Sequence, residues 1–349
     1  MTVADAILKL AYEVSRVTEE KIGLIEGVTQ RTGVLALNAR LEAARAGGAG
    51  SAFSVVAQEM GAVAGDIRSI ASALREAVSA NIDMLKRAGS EMQFEFRGER
   101  LADLARNAVE IIDRNLYERS CDVRWWATDA AMLEALANPG PETAAYAQER
   151  LATILRSYTV YLDLWIADRN GKVIAHGRPD TYRGVIGADV SQCEWFQRGM
   201  AAQSGDDFAV CDITTKPLLG SAAVASYSTA IRAGGRRDGE RLGAMGIFFD
   251  WAPQAAAIVK GVGLSDEERG ACRVMLLGAD HRVLAASDDR GLLHERFSLE
   301  TDGSERGWYR SGNRIIAFAK TPGYETYQGL GWYGCIESRI APEREGGLD

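Results

Sequence analysis

No stretch of this sequence approaches the roughly 18 uninterrupted apolar residues that a membrane-spanning helix needs. The longest candidate, around GAMGIFFDW, stops after a few residues and reads as a strand. Asp5, Lys9 and Glu13 interrupt the apolar N-terminus, which makes it a poor secretory signal. Cysteine is scarce and unpaired in pattern: Cys121, Cys193, Cys211, Cys272 and Cys335 are an odd number with no CxxC spacing. That excludes a disulfide framework and a zinc cluster, and points to reduced thiols and a cytoplasmic location. Positive charge is in deficit, with 40 Lys plus Arg against 48 Asp plus Glu and a net charge of -8. A partner such as nucleic acid or an anionic membrane surface would need a basic patch.

Catalytic signatures are missing too. There is no GxxxxGK[ST], no GxGxxG after a strand, no HExxH and no GxSxG. His176, His281 and His294 are scattered. Cys193 with His176 is the best available nucleophile pair, but nothing nearby supplies an oxyanion-stabilising element. The expectation is a protein that is not an enzyme and carries no metal or cofactor.

What is present is length for two or three domains, with 47% apolar residues to fill their cores. Residues 1 to about 90 have no proline and carry a sustained heptad. Alternate steps of three and four from Ile7 give Leu10, Val14, Val17, Lys21, Leu24, Val28, Arg31 and Leu35. From Phe53 they give Val56, Met60, Val63, Ile67, Ile70, Leu74, Ala77, Asn81 and Met84. Such a stripe must be covered by another helix. Gly47, Gly48 and Gly50 permit a chain reversal between the arms. The pattern predicts an antiparallel coiled-coil hairpin over 1–92 with its tip near 47–50. Two helices leave apolar seams uncovered, so two hairpins are expected to pair as a four-helix bundle.

The heptad fades near Ala88-Gly89-Ser90, and a long helix is expected over 93–137, ended by Asn138-Pro139-Gly140-Pro141. From Tyr158 the period becomes strand-like. YLDLWIADRNGKVIAHG reads as a hairpin about Asn170-Gly171, and RVMLLGADHRVLAAS as another about Asp280-His281. Each is followed by an echo, LGAMGIFFD (242–250) and LGWYGCIES (330–338). Two units in the same order suggest tandem lobes, 158–252 and 270–341, with a tail over 342–349. The fold class expected is therefore α+β: a helical hairpin, a long helix and two α/β lobes.

The segment TQRTGVLALNARLEAARAGGAGSAFSVVAQEMGAVA (29–64) resembles the hairpin tip of methyl-accepting chemotaxis proteins, through Thr32, 35–39, 42–47, Gly50, Phe53, 55–57 and Glu59. The resemblance implies a tip that contacts a histidine kinase and its coupling adaptor, through Leu37, Asn38, Glu42, Arg45, Phe53 and Val56. The seam turns polar at Asn38, Glu42 and Arg45, which fits a contact role and also fits a register device inside the bundle. Gly33, Arg40, Gly48, Ser51-Ala52 and Gly61 depart from the family pattern. Only Glu19-Glu20 resembles a methyl-accepting pair.

Residues from about 94 to 341 resemble the double Cache sensor domains of chemoreceptors: a long helix and two PAS-like lobes, with ligand in the first. DVSQCEWFQRGM (189–200) is similar to the helix over that pocket. The resemblance places a ligand at Trp195, Phe196, Asp212 and Asp250. Cys193 stands where amino-acid binders have Arg, so an amine, or a ligand lacking a carboxylate, is preferred. Ser338 stands in the second lobe where Asp250 stands in the first, which favours the first lobe. The same residues also read structurally: Trp195 and Phe196 as core, Asp212 as a turn residue, Asp250 as a strand end. The expected function is a soluble homodimeric transducer relaying a small molecule to the kinase. The alternative is a binding or dimerisation module whose altered tip no longer couples.

Overall fold

The structure, a computed structural model, describes residues 3–340, so the expected tail at 342–349 lies outside the described residues. The chain divides between Arg97 and Gly98 into two compact units.

The first unit is a helical hairpin. Helix α1 (Val3–Arg45) runs without proline to a short turn of 3-10 helix (Gly47–Gly50), and helix α2 (Ser51–Trp126) returns. Two glycines make the reversal possible. Gly47 takes φ +60, and a Cβ on Gly50 would lie 2.2 Å from the Ala43 carbonyl oxygen. A bidentate ion pair from Arg75 to Glu26, 2.8 Å at both contacts, ties the arms together. Lys86 lies 4.7 Å over the Tyr12 ring.

The arms do not meet along the large apolar stripe. Among the described residues the buried ones are Ala11, Ile22, Thr29, Ala36 and Ala43 on α1, and Ala57, Ala64, Ala71, Ile82 and Gly89 on the returning arm. This seam repeats every seventh residue through most of its length and is built of small side chains that let the backbones approach closely. The heptad of large residues faces away: Leu10, Val14, Val17, Leu24, Val28 and Leu35, with Phe53, Val56, Val63, Ile67, Ile70, Leu74 and Met84, are 38–67% exposed. Each arm therefore carries two stripes, and the single hairpin buries only the smaller one.

The second unit begins within α2. That helix does not fade near Ser90 and does not reach Ala137. It continues to Trp126, where Ala127–Asp129 interrupts it, and α3 (Ala130–Ala137) follows. Asp129 caps α3 by accepting the Ala131 N–H at 2.9 Å. Pro141 opens α4 (Pro141–Ser157), where its missing N–H costs nothing.

Two five-stranded antiparallel sheets follow. The first holds β1 (Tyr161–Asp168), β2 (Val173–His176), β3 (Ala209–Lys216), β4 (Ala222–Arg232) and β5 (Arg241–Asp250), in the order β2-β1-β5-β4-β3. Helix α5 (Glu194–Ala201) covers one face, and α6 (Trp251–Gly261) and α7 (Asp266–Ala271) lead onward. The second sheet holds β6 (Cys272–Leu277), β7 (Val283–Ala286), β8 (Arg306–Ser311), β9 (Arg314–Lys320) and β10 (Tyr333–Arg339), in the matching order β7-β6-β10-β9-β8. Asn170-Gly171 makes the first hairpin turn, with Gly171 at φ +83, and His281 at φ +63 sits in the second.

The buried face of α2, including Leu101, Ala105, Val109, Ile112 and Leu116, packs in this unit. Strand β10 approaches so closely that a Cβ on Gly334 would lie 2.3 Å from the Ala105 carbonyl oxygen. The two Leu-Gly-x-x-Gly echoes are thus not equivalent in register. Gly246 faces the first lobe's interior, against the Trp195 ring, whereas Gly334 faces the long helix. In the second lobe the inward positions of β10 include Cys335, which packs with Met275 and Phe318. Ser338 lies on the opposite face from Cys335, so it is not the counterpart of Asp250.

Candidate functional site

The interior of the first lobe is built on the alternation of β1 and β5. Asp163, Trp165 and Ala167 project inward from β1, and Ala244, Gly246 and Phe248 from β5. Helix α5 closes over them with Trp195 and Phe196, which are 1% and 6% exposed. The Trp195 ring meets Phe248 edge-on at 5.7 Å, Phe196 at 5.9 Å and Trp165 at 6.2 Å. Ser228 anchors the helix by donating to the Trp195 carbonyl at 2.6 Å. Both aromatic residues named from sequence are therefore in the lobe's packed interior, where Cys211 is also buried, its thiol pushed up to about 11 by burial.

The two acids separate. Asp250 ends β5 on the same face as Phe248 and precedes α6. Burial raises its carboxyl above the ordinary value, and the Arg178 charge opposes that rise. Tyr182 belongs to the same group: burial raises its phenol, Arg178 lowers it, and the charges of Asp163 and Asp250 raise it further. Asp212 points away from Cys211, to the other face of β3. Its Oδ2 accepts a hydrogen bond from Arg282 of the second lobe at 3.1 Å, and Arg282 also donates to the Ile213 carbonyl at 3.2 Å. Asp212 links the two lobes; the structure does not bring it to Trp195.

A polar pair missed from sequence lies deeper. Asp163 and His176 are both fully buried. Asp163 Oδ1 accepts the backbone N–H groups of Leu164 at 2.8 Å and Gly177 at 3.0 Å. Its Oδ2 takes Trp165 Nε1 at 3.0 Å and His176 Nδ1 at 2.7 Å. Four donors hold the carboxylate, and His176 takes Asp163 as its partner rather than Cys193. Its Nε2 has no hydrogen-bond partner. The signal was an acid at an inward position of an otherwise apolar strand, YLDLW, thirteen residues before a strand-end His.

Helix α2 is joined to this lobe by charge as well as packing. Asp122 Oδ2 accepts the Tyr161 hydroxyl at 2.5 Å and Arg119 Nε at 3.2 Å. The Arg119 guanidinium lies 5.3 Å over Tyr161 and 5.5 Å over Phe249. Burial raises the Asp122 carboxyl, and the Tyr161 hydroxyl and Arg119 oppose it.

At the hairpin tip, Leu37, Phe53 and Val56 are 56%, 59% and 54% exposed. Asn38, Glu42 and Arg45 are exposed as well, and Arg45 pairs with Glu42 one turn away on the same helix. All six residues named from sequence are therefore accessible in the single chain. Among the described residues no cluster of His, Cys, Asp and Glu could hold a metal ion, and no helix is long and apolar enough to cross a membrane.

Residues 2–114 match the family model of the methyl-accepting chemotaxis protein signalling domain. Among curated proteins, the chain is 34% identical over 151 residues to the frizzy aggregation protein FrzCD of Myxococcus xanthus, covering 41% of this chain and 33% of that protein. It is 31% identical over 114 residues to the methyl-accepting chemotaxis aspartate transducer of Klebsiella aerogenes, 32% of this chain and 21% of that one. The chain thus spans a third or less of these relatives. Among solved structures, the sensory domain of the Campylobacter jejuni chemoreceptor Tlp3 aligns at TM-score 0.53 and 16% identity, over 70% of this chain and 94% of that one. The sensor domain of the V. cholerae histidine kinase DctB aligns at TM-score 0.53 and 12% identity, over 72% of this chain and all of that one. The first of these likenesses covers the hairpin and the start of the second unit, and the solved structures share the α+β fold of the second unit.

Proposed function

We propose that the chain is a cytoplasmic, chemoreceptor-like signal transducer that binds a small molecule in its first lobe and passes the event along α2 to the hairpin. The observation that carries this reading is α2 itself. One unbroken helix from Ser51 to Trp126 holds the returning arm of the hairpin and, through Arg119 and Asp122, the first lobe. A change at β1 or β5 that moves Tyr161 or Phe249 acts directly on that helix.

The ligand end of the lobe is the corner of Arg178, Tyr182 and Asp250, beside Trp195 and Phe196. Asp163 is already saturated by four donors, which leaves Asp250 as the acid available to an ammonium group. A small amine remains the preferred ligand class. Tlp3 is solved with L-valine and with isoleucine, so amino acids are the competing class. Asp212, held by Arg282, transmits between lobes in this reading.

The tip, with Leu37, Asn38, Glu42, Arg45, Phe53 and Val56, contacts a chemotaxis histidine kinase and its coupling adaptor. Two hairpins cover their exposed stripes by pairing into a four-helix bundle. Purified protein should retain the kinase and adaptor in a pull-down, and Glu42→Ala should abolish retention. Absence of retention by the parent chain would refute the coupling. Thermal-shift screening with small primary amines and with amino acids tests the pocket: Asp250→Asn should remove the shift that a binding amine produces, and an unchanged shift would refute the assignment.

A further inference from the structure

Asp113, on the part of α2 that packs in the sensor unit, is a carboxylate with too few partners. It is 1% exposed. Its Oδ2 accepts one hydrogen bond, from the Gly323 N–H at 2.8 Å, and its Oδ1 accepts none. Thr321 Oγ1 is buried without a partner as well. These two oxygens flank Gly329, which holds φ +74; a Cβ there would lie 3.1 Å from Thr321 Oγ1 and 3.6 Å from Asp113 Oδ1. The turn 321–329 of the second lobe is thus seated on α2 through one hydrogen bond and two unsatisfied oxygens.

Among the described residues no ion pair compensates Asp113. On its own helix, Arg106 favours the ionised form but gives its Nε to Glu110 at 2.8 Å, and Glu110 opposes ionisation. From the turn, Tyr324 meets the Tyr117 ring edge-on at 5.4 Å, and the Arg114 guanidinium lies 5.4 Å over the Tyr324 ring. Glu325 adds negative charge near Tyr117. The Tyr327 hydroxyl is buried beside that of Tyr227 on β4, and its phenol is kept neutral chiefly by burial, with the charges of Asp113 and Asp212 adding to it. Asp212 on β3 is neutralised by Arg282.

A buried carboxylate in such a place is costly when charged. With a proton on Oδ1 it becomes a donor, and the unpaired Thr321 hydroxyl, which flanks the same glycine, offers an acceptor once the turn settles toward it. We propose that Asp113 is a proton-binding site that clamps the 321–329 turn to α2. Protonated, the carboxyl holds the turn through both oxygens. Ionised, it draws water into the site and releases the turn. Burial lifts the carboxyl to about 6, against the Gly323 N–H and the Arg106 charge, which lower it, so the site changes state near neutrality. That this clamp regulates signalling by acidity rests on the transduction reading above; the proton site itself does not.

The test is hydrogen exchange of the 321–329 backbone amides in the full chain, expressed as protection factors at pH 5 and pH 7.5. Protection in the parent protein should fall at least tenfold between the two. Asp113→Asn cannot ionise, yet offers Gly323 an acceptor and Thr321 a donor, and should keep the pH 5 value at both. Equal protection at both values in the parent protein overturns the proposal. Thr321→Val is the second arm: it removes the acceptor of the protonated form, so the Asp113 carboxyl carbon should titrate at lower pH by NMR, and a titration unmoved or moved upward overturns the clamp. A carboxyl already ionised at pH 5 in the parent overturns the proposal whatever the variants do. Failure of kinase retention would leave all these results untouched and would refute only the transduction reading.

Discussion

Leu24→Ala should separate the two stripes of the hairpin. Leu24 is 59% exposed in the single chain, on the face opposite Ile22, which is 1% exposed. The substitution removes about three carbon groups, each worth about 0.8 kcal/mol when fully buried. If pairing of hairpins covers the 59% that now faces water, the loss is about 1.4 kcal/mol per protomer. A dimer contains two copies, so its association weakens by about 3 kcal/mol, or roughly a hundredfold in dissociation constant. Sedimentation equilibrium of the full chain across a concentration series reads this directly, with helix content checked by circular dichroism. Ile22→Ala should behave in the opposite way. It opens a cavity in the intrachain seam and costs about 2–4 kcal/mol of hairpin stability, with a smaller direct effect on pairing. An unchanged dissociation constant for Leu24→Ala, or a monomeric parent protein, would refute the bundle.

Three further outcomes concern the second unit. Gly334→Ala places a Cβ 2.3 Å from the backbone oxygen of Ala105, so β10 must retreat from α2; a loss of about 3 kcal/mol or more is expected in chemical unfolding, and a loss below about 1 kcal/mol would refute the close approach. Asp163→Ala strands the Trp165 and His176 donors and two backbone N–H groups in the core, costing about 3–5 kcal/mol; Asp163→Asn, which keeps an acceptor, should cost less. Asp113 sets a pH dependence whose sign is opposite to that of a salt-bridged acid. The native state binds its proton more tightly than the unfolded state, so the group favours folding below the ordinary 3.8, and that contribution is lost as pH rises through about 6. The difference between those values corresponds to about 3 kcal/mol. Asp113→Asn should therefore be more stable than the parent at pH 7.5 by up to about 3 kcal/mol and nearly equal to it at pH 4, as read by urea titration.

Local signals were legible in the chain before it folded. Gly47, Gly48 and Gly50 marked the reversal, Asn170-Gly171 and Asp280-His281 the strand turns, and Asn138-Pro139-Gly140-Pro141 the helix end after Ala137, because each acts through its own backbone. The order of the lobes was legible for the same reason: a hairpin followed by a buried strand recurs as a pattern of neighbours. The tip segment fixed the resemblance because many side chains recur there at fixed spacing.

Which surfaces meet is set by packing between distant segments. A heptad gives the phase of an apolar stripe but not its partner, and each arm carries two. The hairpin buries the alanine stripe because small side chains let two backbones approach, and it leaves the larger stripe outward. In the sheets a slip of one residue reverses a side chain, so the echo between 242–250 and 330–338 could not reveal that Gly246 faces the interior and Gly334 the helix. Asp212 was misplaced by the same two-residue period: next to the inward Cys211, it faces Arg282. Asp163 with His176, and Asp113 with Thr321, were invisible because their partners lie 13 and 208 positions away. Their energetics depend on desolvation, which exists only once the chain has closed around them.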